Sequence, residues 1–161
     1  MICAFSGHRP QRLPWGETET DHRCEALKLQ IAREVGRLYR EGCTVFLCGM
    51  ARGCDTYFAE AVLELQKDSP QTELWAVLPC RSQADHWPEP DRQRYEALCK
   101  ASRQVILLQE QYTSGCMLRR NRWMLEHADC LMTVYDGGTG GTGWMVTEAQ
   151  RQQIPVISLW L

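Results

Sequence analysis

The feature that most constrains this chain is an alternation. Short, continuous apolar runs take turns with longer segments whose apolar residues recur every three or four positions. The runs Ile2–Phe5, Thr44–Cys48, Leu74–Leu78, Val105–Leu108, Cys130–Tyr135 and Val156–Trp160 read as strands buried on both faces. Between them, Leu27, Ile31, Val35 and Leu38 mark a first helix, and Phe58, Val62 and Leu65 a second. Tyr95 and Leu98 suit a third, Leu118 and Leu125 a fourth, and Met145 and Ala149 a fifth. Such regularity predicts right-handed crossovers and a parallel sheet between two helical layers. The expected fold is therefore α/β: a single Rossmann-like, three-layer domain over residues 1–161 with a mainly parallel sheet of about six strands. The Pro-rich piece Trp87–Pro90 reads as a loop within it.

A globule of 161 residues buries roughly 68–70% of its unfolded surface, enough to need neither a metal nor a disulfide staple. The net charge of −2 provides no general attraction to nucleic acid or to an anionic membrane. No apolar run approaches the roughly 18 residues of a span, and Met1 leads into the first strand without a basic leader. These features predict a cytoplasmic protein without a membrane partner. The nine cysteines are odd in number, form no CxxC and fall partly inside apolar runs, as expected of reduced, mostly buried thiols. The spacing of Cys43, Cys48 and Cys54 suits no zinc site, so no metal is expected.

In sheets of this kind, ligands bind beyond the carboxyl ends of the strands, and the turns there hold the unusual residues. After the first strand come Ser6, Gly7, His8 and Arg9: a sharp turn with a planar cation. After the second come Gly49, Arg52, Gly53 and Asp55, where backbone amides can face a phosphate and Asp55 reads as a helix N-cap or a partner for a sugar hydroxyl. After the fifth come Asp136, Gly137, Gly138, Thr139, Gly140, Gly141, Thr142 and Gly143, with five glycines in eight residues. That density is costly in chain entropy and makes sense if several N–H groups converge on an oxyanion at a helix N-terminus. Of the run Arg119-Arg120-Asn121-Arg122, helical spacing lets only one or two members reach the strand ends. Arg9, Arg52, Arg81 and one of that run are thus expected at one edge, where three charge-assisted bonds of roughly 1.5–3 kcal/mol each, together with a glycine nest, suffice for micromolar binding.

These residues resemble the SLOG superfamily of Rossmann-like proteins. Gly49-Met50-Ala51-Arg52-Gly53-Cys54-Asp55 is similar to the GxARGxD turn of the DNA-processing protein DprA, and Arg120-Asn121-Arg122 with Ala128-Asp129 to that family's RNR…SD segment. The glycine turn from Gly137 to Thr142 and the spacing of Met117, Arg120 and Met124 resemble the LONELY GUY phosphoribohydrolases. The fullest likeness is to the YpsA/YoqJ family of bacterial and prophage proteins: Ser6–Pro10, then Pro79, Trp87, Pro90 and Tyr95, then Tyr135–Thr142. This resemblance implies a Rossmann-like fold and a nucleotide-type ligand. One departure matters: where the phosphoribohydrolases place a catalytic Glu the chain has Met145, and the next carboxylate, Glu148, is displaced by about 4.5 Å along a helix.

The leading expectation is binding of a nucleotide or nucleotide-derived, phosphate-bearing small molecule, ADP-ribose-like, in a sensing or sequestering role and with no required cofactor. Backbone amides of the glycine turn would hold the phosphate, Arg9, Arg52 and Arg120 would neutralise it, and Asp55 or Asp136 would engage a sugar. The enzymatic alternative is an N-glycosidase using Glu148 and Arg120. A single-stranded nucleic-acid partner ranks third, and a homo-oligomer is compatible with the sequence.

Overall fold

Why the apolar runs become strands is plain in the first of them. In β1 (Ile2–Gly7), Cys3 and Phe5 point to one side of the sheet and Ala4 to the other, and all three are fully buried, so either face exposed alone would leave apolar surface in water. The computed structural model describes residues 1–161, apart from the side chain of Trp160. It places β2 at Val45–Cys48, β3 at Glu73–Leu78, β4 at Gln104–Leu107, β5 at Cys130–Tyr135 and β6 at Val156–Trp160. The helices are α1 (His22–Arg40), α2 (Cys54–Asp68), α3 (Glu89–Ala101), α4 (Cys116–His127) and α5 (Gly141–Arg151). Among the described residues, no helix is long and apolar enough to cross a membrane.

All six strands are parallel, in the order β4-β3-β2-β1-β5-β6. From β1 the chain steps outward through β2, β3 and β4, and right-handed crossovers put α1, α2 and α3 on one face. It then returns past β1 to β5 and β6, which puts α4 and α5 on the other face. The larger core lies under α1 and α2, where Phe58 stacks on Phe5 at 4.3 Å and meets Phe46 edge-on at 6.0 Å. Each such buried ring stabilises the fold by roughly 1.5–3 kcal/mol. The strand order reverses between β1 and β5, where Ser6 pairs with Thr133 and Gly7 with Val134. A crevice at the carboxyl ends is built into such a reversal.

Three local expectations are corrected. Trp87–Pro90 is only half loop: α3 starts at Glu89 with Pro90 in its first turn, where a missing N–H costs nothing. β4 is not buried on both faces, because it is an edge strand and Val105 is 49% exposed. Leu118 does not mark the inner face of α4; it points to solvent, and Cys116, Arg120, Asn121, Met124 and Leu125 face inward.

Candidate functional site

At the reversal point, β1 ends in Ser6-Gly7 and β5 in Tyr135, with Asp136 next after it, and the two ends are braced together. Nε2 of His8, a buried ring, lies 3.2 Å from the backbone N of Asp136 and 3.1 Å from its Oδ1. The Ser6 and Thr142 hydroxyls share a 3.0 Å hydrogen bond that ties β1 to the start of α5. Between these ties opens a cavity of about 310 Å³, lined by Ser6–Arg9 from the β1 turn, Arg120 and Asn121 from α4, and Gly140–Thr142 from α5. Its size sits near the lower end of small-molecule pockets, roughly 300–1,000 Å³.

Its anion-binding apparatus is of two kinds. Trp144 N–H to Gly140 C=O is the first bond inside α5, so the amides of Gly141, Thr142 and Gly143 have no helical acceptor and carry the positive end of the helix dipole. Gly140 precedes them at φ +124°, a conformation that side chains rarely tolerate, which is why the turn needs glycine there. Three guanidinium groups then face the same cavity: those of Arg9, Arg12 and Arg120.

The three differ in how far they are committed. Arg12 is bound to the turn itself: Nη2 donates to both oxygens of Asp136, at 3.2 and 3.1 Å, and Nη1 to the Thr139 carbonyl. Arg120, only 4% exposed, donates from Nη1 to the Gly49 carbonyl at 2.7 Å and from Nε to Asn121 Oδ1 at 2.9 Å. Among the described residues its Nη2 meets only the Met117 thioether, at 3.9 Å, a weak acceptor. Arg9 is exposed and has no carboxylate partner among the described residues, only Met117 Sδ at 4.0 Å. The cavity therefore holds one uncommitted cation and one half-committed one.

Asp55 is the counter-charge on the cavity floor. It is not the helix N-cap expected from the sequence: Gly53 holds that place, and Asp55 lies inside the first turn of α2, accepting the Ala51 N–H at 3.0 Å. Burial pushes its carboxyl above the usual range, while Arg120 and the Ala51 amide pull the other way. Burial likewise lowers the Arg120 guanidinium, and Asp55 opposes that shift. Asp136 is held below the usual range, first by the Gly138 N–H, which donates to it at 2.8 Å, then by His8 and Arg12. Burial raises the Cys48 and Cys54 thiols, so neither is an activated nucleophile.

The structure thus brings Ser6, Gly7, His8, Arg9, Asp55, Arg120, Gly140, Gly141 and Thr142 around one cavity. Asp136, Gly137, Gly138 and Thr139 form the turn above it, and Gly49 supports Arg120 from behind. Arg52 and Gly53 lie one cavity further along the sheet edge, where Arg52 pairs with Glu17 and, at 3.0 Å, with Asp91. Arg81 does not join them: it is locked to Glu110 at 2.6 and 2.9 Å, beside β4. Glu148 is also apart from the cavity, bound by its own helix to Arg151 and Gln152, which hold its carboxyl at about 2. Sequence reading missed Arg12, although its place three residues after Arg9, around the 3-10 turn Pro10–Arg12, sets both on one side.

Comparison with known proteins agrees with the fold. The family model described as the YspA SLOG family matches residues 3–155. UPF0398 proteins of Bacillus thuringiensis (strain Al Hakam) and Bacillus cereus (strain AH187) are each 26% identical over 155 residues, covering 94% of this chain and 83% of theirs. Among solved structures, DNA processing protein A from Helicobacter pylori, described for its single-stranded DNA binding mode, superposes with a TM-score of 0.65 at 17% identity. That match covers 98% of this chain, which spans 64% of the other's length. TM1055 superposes with a TM-score of 0.60 at 15% identity, over 96% of this chain and 71% of that one. At these identities the likeness is one of fold.

Proposed function

The chain belongs to the YspA SLOG family, and from that premise we propose that it binds a nucleotide or nucleotide-derived small molecule at the β1/β5 crevice, as a sensor or sequestering protein rather than an enzyme. One observation carries the reading: an uncommitted Arg9, the free arm of Arg120 and the residues Gly141 and Thr142, whose amides are unbonded at the start of α5, line a single cavity beyond the carboxyl ends of the strands. Convergent N–H donors and guanidinium groups at a helix N-terminus select a phosphate. The cavity also has apolar floor, from Phe5, Ala51 and Met124, for the rest of a nucleoside. DNA processing protein A of Helicobacter pylori, which shares the fold, binds single-stranded DNA, a chain of the same phosphate and base units.

The same geometry speaks against the glycosidase. A general acid–base group must reach its proton within about 3 Å, and Glu148 lines none of the cavity while its neighbours keep it ionised. Binding is tested by titration calorimetry with adenosine and adenosine monophosphate. The monophosphate binds and the nucleoside binds at least about tenfold more weakly. Arg9→Met brings the two together by weakening the monophosphate about tenfold or more. Equal binding of both compounds, or none of either, overturns the reading.

A further inference from the structure

The main cavity is not the end of the groove. A middle cavity of about 180 Å³ shares Arg9, Gln11 and Met117 with it, and also includes Arg52 and Trp87. An outer cavity of about 200 Å³ shares Arg52 and Trp87 in turn and adds Tyr95 and Asp91. The three form one trough across the carboxyl ends of the sheet, and its chemistry changes along the way. Unbonded amides and Arg120 lie at the first end, Arg9 and Arg52 stand at the junction, and an indole ring lies beyond. Trp87 is half-buried and lines both the middle and the outer cavity, so it borders open space on two sides, while Tyr95 meets it edge-on at 5.2 Å and fixes its orientation.

From this juxtaposition we infer that the trough takes a two-headed ligand of the dinucleotide type, two nucleosides joined by phosphates, with the second ring stacked on Trp87. This rests on the nucleotide reading of the main cavity. The linking phosphates fit the junction at Arg9, which has no carboxylate partner among the described residues, beside an Arg52 that Glu17 and Asp91 hold in place. They fit the outer cavity less well, because Glu17, Glu19 and Asp91 outnumber Arg52 and Arg94 in its lining and already occupy those two guanidinium groups. A base fits there instead, since stacking needs only a π-face and carboxylates accept from its amino group. The wall also favours a small molecule over a strand, because a polymer leaving the trough would carry its next phosphate past three carboxylates whose cationic partners are already taken.

Calorimetric titrations with adenosine monophosphate, with two adenosines joined through a diphosphate, and with a short deoxyadenylate strand test this. The joined compound binds tighter than the monophosphate by roughly tenfold to a hundredfold, the range expected of one stacked base. Trp87→Ala removes that advantage and leaves the monophosphate affinity unchanged, and Trp87→Phe restores most of it, which separates stacking from misfolding. If the monophosphate binds but the joined compound gains nothing, or if Trp87→Ala weakens both alike, the second subsite is refuted and the main-cavity reading stands. If neither binds, both fall. A strand that outbinds the joined compound, with affinity dropping steeply in salt, overturns the small-molecule assignment.

Discussion

Arg120 shows how the desolvation cost of burying a charged side chain is partly offset. It sits on the inner face of α4 among apolar neighbours, yet its Nη1 and Nε donors meet the Gly49 carbonyl and the Asn121 amide oxygen, and Asp55 supplies the opposing charge. A side chain at Gly49 would collide with this guanidinium, so the glycine is there for close approach. Arg120→Met leaves those acceptors short of a donor and the Asp55 charge uncompensated, and urea unfolding is expected to report a loss of roughly 3 kcal/mol. Arg120→Lys recovers less than half of it, because one ammonium cannot span the Gly49 and Asn121 sides together. A loss below about 1 kcal/mol for Arg120→Met would mean that water takes over the bonds and the buried guanidinium is dispensable. In the sequence this residue is one of three arginines in a row of four. Helical spacing says that one or two turn inward, but only the packing of α4 on β1 and β3 decides that Arg120 and Asn121 are the ones.

At the scale of elements, the glycine turn and α5 were legible because glycine leaves a local mark: five in eight residues between a strand and a helix has few structural meanings. The sheet was legible for a similar reason, since a period of apolar runs is a property of neighbours in the chain. What holds the turn was not. Arg12 reaches Asp136 and Thr139 from more than a hundred residues away, as a solvent-facing arginine whose partner no local pattern reveals. Arg52 and Arg81 failed as members of the main cavity for the converse reason: carboxylates at Glu17, Asp91 and Glu110, none adjacent in sequence, claim them first. The Arg12 clamp has a measurable consequence. Arg12→Ala should speed amide hydrogen exchange across residues 137–141 and leave the global unfolding midpoint nearly unchanged, since an exposed ion pair adds little to total stability. If exchange in the turn is unaltered, the backbone of the turn holds itself and Arg12 is free for the ligand.

At the scale of the whole molecule, one ionic cluster ties the wall of the outer cavity to the loop before α1 and to three helices. Glu19, in the loop before α1, accepts from Arg94 of α3 at 2.7 and 2.9 Å and from Lys28 of α1 at 2.7 Å, and Arg94 also binds Glu60 of α2 at 2.6 Å. Arg94 pulls the Glu19 carboxyl down most strongly, burial opposes it, and Lys28 adds to the lowering, for a net fall from 4.5 to about 2. A carboxyl lower in the folded than in the unfolded chain contributes stability in full above its unfolded value, and that contribution disappears as pH falls through the folded one. The window is therefore pH 4.5 down to about 2. With about a third of the side chain in water, solvent screening reduces the contribution to about 1 kcal/mol. Urea midpoints measured from pH 6 to pH 2.5, below which other carboxylates dominate, should fall more steeply for the native chain than for Glu19→Gln, with the two curves converging at the acid end. Parallel curves would show that the cluster adds nothing to stability. Convergence together with loss of the Trp87-dependent affinity in Glu19→Gln would tie the acid sensitivity of the fold to the wall of the second subsite.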